Sequence, residues 1–501
     1  MASVAAAPAG EAPAGGQSYG APGYRAYVLL SLTLVYTLNF IDRNLLGVVA
    51  QPIIQTFGLS DTEYGFLNGP PFALFYALMG IPIAIAADRY NRVFIMALCI
   101  AIWSLMTALC GFATSFVFLL IARVGVAIGE AGGTPPSNSI IADYFKPKSR
   151  ANALGIFAMG VTLGGALANA FGGPIGGMTD ATVVNILNSV GLGSMPEQLG
   201  WGETYGWRFA FIALGLPGVL VALILVLTVK EPPRGFTDPP GVQRVQKASI
   251  VETLKELGSK PTFWTMAIGA SLVALVGYGL FGFQAPMMQR VNGISPGQFA
   301  LQYGVPLSLL SAVGTFTGGF LAEKLTPRFP SAVTWLPAVG LLLAVPLYIW
   351  AFYLPVEQKA LQLTVWGLAS ACHYSYLGAQ YTIGQGVVSQ RSRASAIAVL
   401  LFLIALIGNG LGPQIVGILS DMFMHMQIEA QGMADVLTNE VCRQRDLSAL
   451  TPEQQSVCTL AYGEGLRQSM AATILFFIPA AAFFLIASLT YKKDVVARPV
   501  H

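Results

Sequence analysis

Apolar runs of about twenty residues recur along the whole chain, separated by short polar stretches. A helix needs about 20 mainly apolar residues to cross a bilayer. The runs predict spans at residues 26–50, 64–87, 93–113, 117–142, 151–175 and 208–229. Six more are predicted at 263–287, 299–322, 332–353, 360–387, 394–420 and 467–490. A polar linker parts the two sets and opens with Glu231-Pro232-Pro233-Arg234-Gly235, which stops a helix. Ile250, Leu254 and Leu257 then fall at i, i+4 and i+7. That spacing predicts a short helix with one apolar stripe, lying on the membrane surface or against the bundle ends.

The two sets repeat each other. The second span ends in Ala84 to Asp88-Arg89, and the eighth ends in Gly319 to Glu323-Lys324. Ser149-Arg150-Ala151 precedes the fifth span, and Ser392-Arg393-Ala394 precedes the eleventh. Gly172-Gly173-Pro174-Ile175-Gly176-Gly177 closes the fifth, and Gly412-Pro413-Gln414-Ile415-Val416-Gly417 closes the eleventh. Parallel repeats with a site between them are the architecture of alternating-access carriers. The predicted fold is an all-α integral membrane protein, with twelve transmembrane helices in two pseudo-symmetric six-helix bundles. The expected divisions are a disordered cytoplasmic tail at 1–25, a bundle at 26–229, a linker at 230–262, a second bundle at 263–490 and a tail at 491–501.

Composition agrees with the pattern. The 501 residues are 54% hydrophobic and 10% charged, with mean hydropathy +0.64, whereas soluble domains are about 25% charged. The net charge of +3 is too small to point to nucleic acid. Basic residues decide the orientation. Arg25, Arg89, Arg92, Lys146, Lys148, Arg150, Lys230, Lys324, Arg391, Arg393, Lys492 and Lys493 fall on one side. The other side holds only Arg208, Arg290, Lys359, Arg443, Arg445 and Arg467. The first side is expected to be cytoplasmic with both termini, in a bacterial inner membrane, and the loops at 178–207 and 421–466 are expected outside. Cys442 and Cys458 share the second of these loops and are candidates for a disulfide if that compartment oxidises, or for two free thiols. The first 25 residues lack the basic start and apolar core of a signal peptide.

The chemistry lies inside the spans. Asn39-Phe40-Ile41-Asp42-Arg43 interrupts the first, and Arg123 and Glu130 lie two turns apart in the fourth. A charge at that depth costs about 2.5–3.5 kcal/mol and marks a functional site by default. The first and fourth helices are expected to be neighbours, so that Asp42, Arg43, Arg123 and Glu130 form a formally neutral network for proton coupling and an anionic headgroup. The alternative reading is a cluster that only pins the two helices together. The second half has polar and aromatic candidates in place of charges: Gln284, His373, Tyr374, Tyr376, Gln380, Tyr381, Gln385 and Asn409. With Asn39, these are expected to line a substrate cavity, His373 and the tyrosines being equally open to core packing. Asp88, Arg89, Arg92, Arg150, Glu323, Lys324 and Arg393 are expected to pair across a cytoplasmic gate when it shuts. No nucleophile and base set, phosphate-binding glycine loop or metal-ligand spacing is present, so no enzyme, cofactor or metal is expected.

These residues carry a resemblance. Asp88-Arg89-Tyr90-Asn91-Arg92 resembles the signature between the second and third helices of the major facilitator superfamily, with Ala84 and Asn91 where glycine is usual. The Gly172–Gly177 run resembles a second signature. Asn39–Arg43, Gly129-Glu130-Ala131-Gly132, Gly206-Trp207-Arg208-Phe209-Ala210-Phe211, Gly215-Leu216-Pro217-Gly218 and Glu231–Gly235 look like the Spinster branch. That resemblance implies a lysolipid exporter of the sphingosine-1-phosphate type, and for a bacterial relative proton-coupled transport of an amphipathic or anionic substrate by a monomer. It also implies that Asp42, Arg43 and Glu130 couple and bind. The anion:cation symporter branch, which imports sugar acids and organic anions, is similar in the first and fourth helices and stands as the alternative, with a passive lipid pathway or channel as a third reading that the repeated charged loops disfavour.

Overall fold

A computed structural model describes residues 18–202, 204–237 and 248–496. The expected tails over residues 1–17 and 497–501 and the middle of the linker lie outside the described residues. The first bundle contains α1 (Pro22–Val48), α2 (Asp61–Arg89), α3 (Arg92–Cys110), α4 (Phe116–Tyr144), α5 (Pro147–Gly176) and α6 (Tyr205–Thr228). The second contains α7 (Pro261–Asn292), α8 (Pro296–Leu325), α9 (Ala332–Tyr353), α10, α11 (Arg393–Ala430) and α12 (Pro452–Asp494). α10 is formed by Lys359–Tyr374 and Tyr376–Gly386. It is less apolar than its neighbours because Gln362, His373, Gln380 and Gln385 interrupt it.

Packing repeats with an offset of six helices. α1 lies on α5 as α7 lies on α11, α3 on α6 as α9 on α12, and α2 on α4 as α8 on α10. The bundles meet where α2 crosses α11 and α5 crosses α8. All four crossing helices depart from regular α geometry within their length. α5, α8 and α11 each contain a wide π turn, at Ala168–Gly172, Ala300–Gly304 and Ile404–Asn409. α2 breaks at Gly69. Such turns concentrate at functional sites. At the crossings the backbones touch directly. Gly65 and Gly69 of α2 lie against the Pro413 and Gly410 carbonyls of α11, and Gly173 of α5 lies against Ala300 of α8. A side chain at any of these positions would force the helices apart.

The far face, opposite the termini, is more helical than its predicted loops. α11 runs on to Ala430, α12 starts at Pro452, and Asp180–Ser189 forms a helix between α5 and α6. The extension has a small core of its own, with Met424, Ile428, Leu437, Val457 and Ala461 around a Cys442–Cys458 disulfide. This corrects the reading of 178–207 and 421–466 as loops: Asp180–Ser189 is too short to mark a span, and the ends of α11 and α12 are too polar to count toward one.

On the termini face each end of the linker is tied to its own bundle. Glu231 accepts from Arg92 Nε at 2.6 Å and from the Arg92 and Val93 amides at 3.0 and 3.2 Å, closing the start of α3. Arg92 also pairs with Asp143 at 2.5 Å, and Arg234 donates to the Ala87 and Tyr90 carbonyls. At the other end Glu256, on the helix Ile250–Gly258, accepts from the Ser389 amide at 2.6 Å and from both the Ser389 and Ser392 hydroxyls. Burial alone would raise the Glu256 carboxyl, but these donors outweigh it and hold the group below its usual range. Leu257 of the predicted stripe is buried, whereas Ile250 and Leu254 are exposed.

Glu231→Ala is expected to cost about 2–3 kcal/mol, since Asp143 still balances Arg92. The loss should appear as a lower melting temperature of the purified protein in detergent, with a smaller loss for Glu231→Gln.

Candidate functional site

Glycines set the position of the central charges. Gly129 of α4 lies against the backbone of Trp103 on α3, and Gly160 and Gly164 of α5 lie against Thr33, Tyr36, Thr37 and Phe40 of α1. α1 and α4 therefore pack mainly on different partners, and as expected neighbours they touch chiefly through the Thr134–Tyr144 part of α4. Long side chains bridge the gap. Arg43 donates from Nε at 2.8 Å and Nη2 at 2.6 Å to one oxygen of Glu130, the last residue before α4 breaks. The Arg43 guanidinium also lies 5.0, 5.4 and 4.9 Å from the rings of Phe40, Phe72 and Tyr76. Arg123 lies 5.0 Å from the same Phe72 ring, so one aromatic serves two cations.

Asp42 points the other way, toward α3. It is buried within electrostatic reach of Glu130 and Arg123 and beside Trp103 and Thr107. The region is rich in unmet hydrogen-bonding capacity. Ser104 Oγ and Arg123 Nε and Nη1 are buried without partners, and Asp42 Oδ1 beside Trp103 and Thr107, and Glu130 Oε1 near Asn39 Nδ2, make no hydrogen bond of good geometry. Each such group costs about 1–3 kcal/mol, more when charged, so a cluster of them needs an explanation beyond packing.

A cavity between the bundles adjoins this cluster. It is lined by Arg43 and Asn44 of α1, Asn68 and Phe72 of α2, Arg123 of α4, Tyr278 and Phe281 of α7, and Asn409 of α11. Two guanidiniums and three side-chain amides facing aromatic rings can hold an anionic group at one end of an apolar body.

The second-bundle candidates divide. Asn409 lines the cavity, Tyr374 is near Tyr278, Gln284 is half-buried, and Tyr381 and Gln385 are exposed toward the termini face. His373 does not reach the cavity. Its Nδ1 lies 3.2 Å from Tyr348 Oη of α9, and its ring packs on Tyr376 and on Phe477 of α12. Gln380 is likewise buried. Both sit within the second bundle because their helical phase turns them away from the first.

Among the described residues, Asp88, Arg89, Glu323 and Lys324 of the expected gate make no ion pair between the bundles. Asp88 is 85% exposed and has only Arg234 near it, at 3.9 Å. Arg89, Glu323 and Lys324 are exposed. Arg150 reaches the Ala142 carbonyl and Thr237, Arg393 is half-buried, and Arg92 is taken up inside its own bundle.

The far face is shut, by residues that the sequence reading passed over. Arg290 of α7 grips Asp61 of α2 through two bonds of 2.7 Å, donates to Gln51 at 2.8 Å, and stacks 3.7 Å over Tyr462 of α12. Asp61 also accepts from Ser420 of α11 at 2.6 Å. The only signal in the sequence is a second acid inside the Ser60–Glu63 capping box, where one is enough.

The family model described as the Major Facilitator Superfamily matches residues 32–413. The chain belongs to the major facilitator superfamily. It is 32% identical over 396 residues to an MFS-type efflux pump of Mycolicibacterium smegmatis, covering 78% of this chain and 83% of that one. It is 24% identical over 498 residues to Protein spinster of Drosophila melanogaster, covering 93% and 77%. A solved structure of a bacterial homologue of the human lysosomal transporter Spinster, inward-facing and unoccupied, is 54% identical, with a TM-score of 0.88 over 96% of this chain and 100% of that one. Within the superfamily this is a transporter of the Spinster type, not an enzyme, and a multi-pass membrane protein that takes a small-molecule substrate.

Glu130→Ala strands the Arg43 charge and is expected to cost about 3–5 kcal/mol. The double variant Glu130→Ala/Arg43→Met should recover most of it, measured as melting temperatures in detergent.

Proposed function

We propose that the protein is a proton-coupled carrier of an amphipathic, lysolipid-like substrate that works by alternating access, in a bacterial inner membrane with both termini cytoplasmic. The observation that carries this reading is the Arg43–Glu130 pair on the wall of the cavity between the bundles, beside the buried Asp42 carboxylate. A proton taken up by Glu130 releases Arg43 to an anionic headgroup. When the headgroup leaves, the pair re-forms and the proton is expelled. The aromatic walls and the exposed tyrosine on α10 suit an apolar body. In this cycle Asp61–Arg290 is the external latch, and Asp88, Arg89, Arg150, Glu323, Lys324 and Arg393 pair when the cytoplasmic face shuts in turn.

Asp42→Asn and Glu130→Gln are each expected to abolish pH-dependent transport in proteoliposomes while the protein still inserts. Unchanged coupling in both variants rejects the proton role. A thermal-shift screen against lysolipids, sphingoid phosphates and sugar acids tests the substrate, since a ligand of the native state raises apparent stability by mass action. Stabilisation by lysolipids or sphingoid phosphates is expected. A response to sugar acids alone replaces the lipid reading with the organic-anion symporter.

A further inference from the structure

The two residues that follow one another on α11, Ser420 and Asp421, both reach the first turn of α2 on the other bundle. Gly417, one turn earlier, lies against the Asp61 backbone and lets them approach. Asp421 Oδ2 accepts from the Thr62 amide at 2.9 Å and from its hydroxyl at 2.6 Å, and Oδ1 faces the Asp61 amide at 3.3 Å. Ser60 already satisfies the Glu63 amide. Asp421 therefore takes amide groups of the first turn that the capping box leaves over, and its charge favours the positive end of the helix.

Among the described residues, the other carboxylates that close a distant helix start do so within their own bundle. Asp180 serves Thr204 and Tyr205, Glu231 serves Arg92 and Val93, and Asp494 serves Thr262. Asp421 crosses between bundles. Behind it stands the disulfide-bonded extension. Asn439 donates to the Asp421 carbonyl at 2.7 Å, Arg443 lies 3.5 Å from Asp421 Oδ1, and Cys442 between them is bonded to Cys458 on α12.

We propose that Asp421 is a conditional cap: it terminates α2 only while the far face is shut, and Arg443 is its counterweight. When the bundles part, α2 loses an acceptor for its first amides, which holds the shut state. Arg443 rides on the same bundle as Asp421 and stays in reach in both states. It therefore lightens the penalty of losing the cap and favours the open state. The two residues pull the same equilibrium in opposite directions. The inference rests on the alternating-access reading above, but not on the substrate or the proton.

The test is the distance between spin labels at Ser189 and Gln431, on the far ends of the two bundles, in the full-length protein in lipid nanodiscs. Asp421→Ala is expected to raise the long-distance population roughly three- to tenfold, the worth of a helix cap. Thr62→Val, which removes the hydroxyl bond from the other partner, should move it the same way by less. Arg443→Gln should move it the opposite way, by about two- to threefold as for a partly exposed ion pair. Asp180→Ala, a cap lost within one bundle, should lower thermal stability without moving the distances. An unchanged distribution in Asp421→Ala and Thr62→Val, with Asp61→Asn shifting it, makes the contact merely structural and overturns the cap. Arg443→Gln opening the far face overturns the counterweight. If Asp61→Asn leaves the distances unmoved as well, the far face does not open and the alternating-access reading falls with the proposal.

Discussion

The Arg43–Glu130 pair sits where neither charge can be solvated by lipid, and the surrounding structure is arranged around that constraint. Leaving one partner without the other costs more than the pair itself yields. The protein meets this with glycine contacts that seat α4 on α3 and α5 on α1, so that α1 and α4, which pack mainly on other partners, still present their long side chains to each other. Phe72, shared by Arg43 and Arg123, adds a neutral surface that tolerates positive charge when an ion partner is lost. Asp42, turned toward α3, supplies a second carboxylate within electrostatic range but outside the pair.

Away from this cluster, each bundle is held by helices with long apolar contacts, and its rim is closed by carboxylates placed at helix starts, as Glu231 does for α3 and Asp494 for α7. Among the described residues the wide turns fall on helices that meet across the bundle interface, although plain interruptions also occur within the bundles, in α4, α10 and α12. The ion pair of Asp61 with Arg290 joins the bundles at one end, whereas Asp88, Arg89, Glu323 and Lys324 at the other end are exposed. The two halves are thus joined asymmetrically.

Much of this was legible in the sequence. Apolar length located the spans, including α10 with its polar interruptions, because a run of about twenty residues survives several glutamines. Buried charge in Asn39–Arg43 and at Arg123 and Glu130 marked the centre, because burial of charge is costly enough to be rare. Contacts made between distant helices were not legible. Asp61 and Arg290 lie just outside their predicted spans, where charges normally record topology, and nothing in their spacing links them. Arg92 read as a gate residue because its motif neighbours are at the rim, yet its partners Asp143 and Glu231 draw it inside. His373 and Gln380 show the limit of composition: a polar residue on a helix has an address only once the helix has a rotation.

The bare crossing of α2 over α11, where Gly65 and Gly69 meet carbonyl oxygens with no side chain between, lies one to two helical turns from Asp61. Two backbones bear on each other there without padding, beside the buried ion pair of Asp61 with Arg290. Bulk added at that bearing would be felt first as a loosened grip at the neighbouring pair.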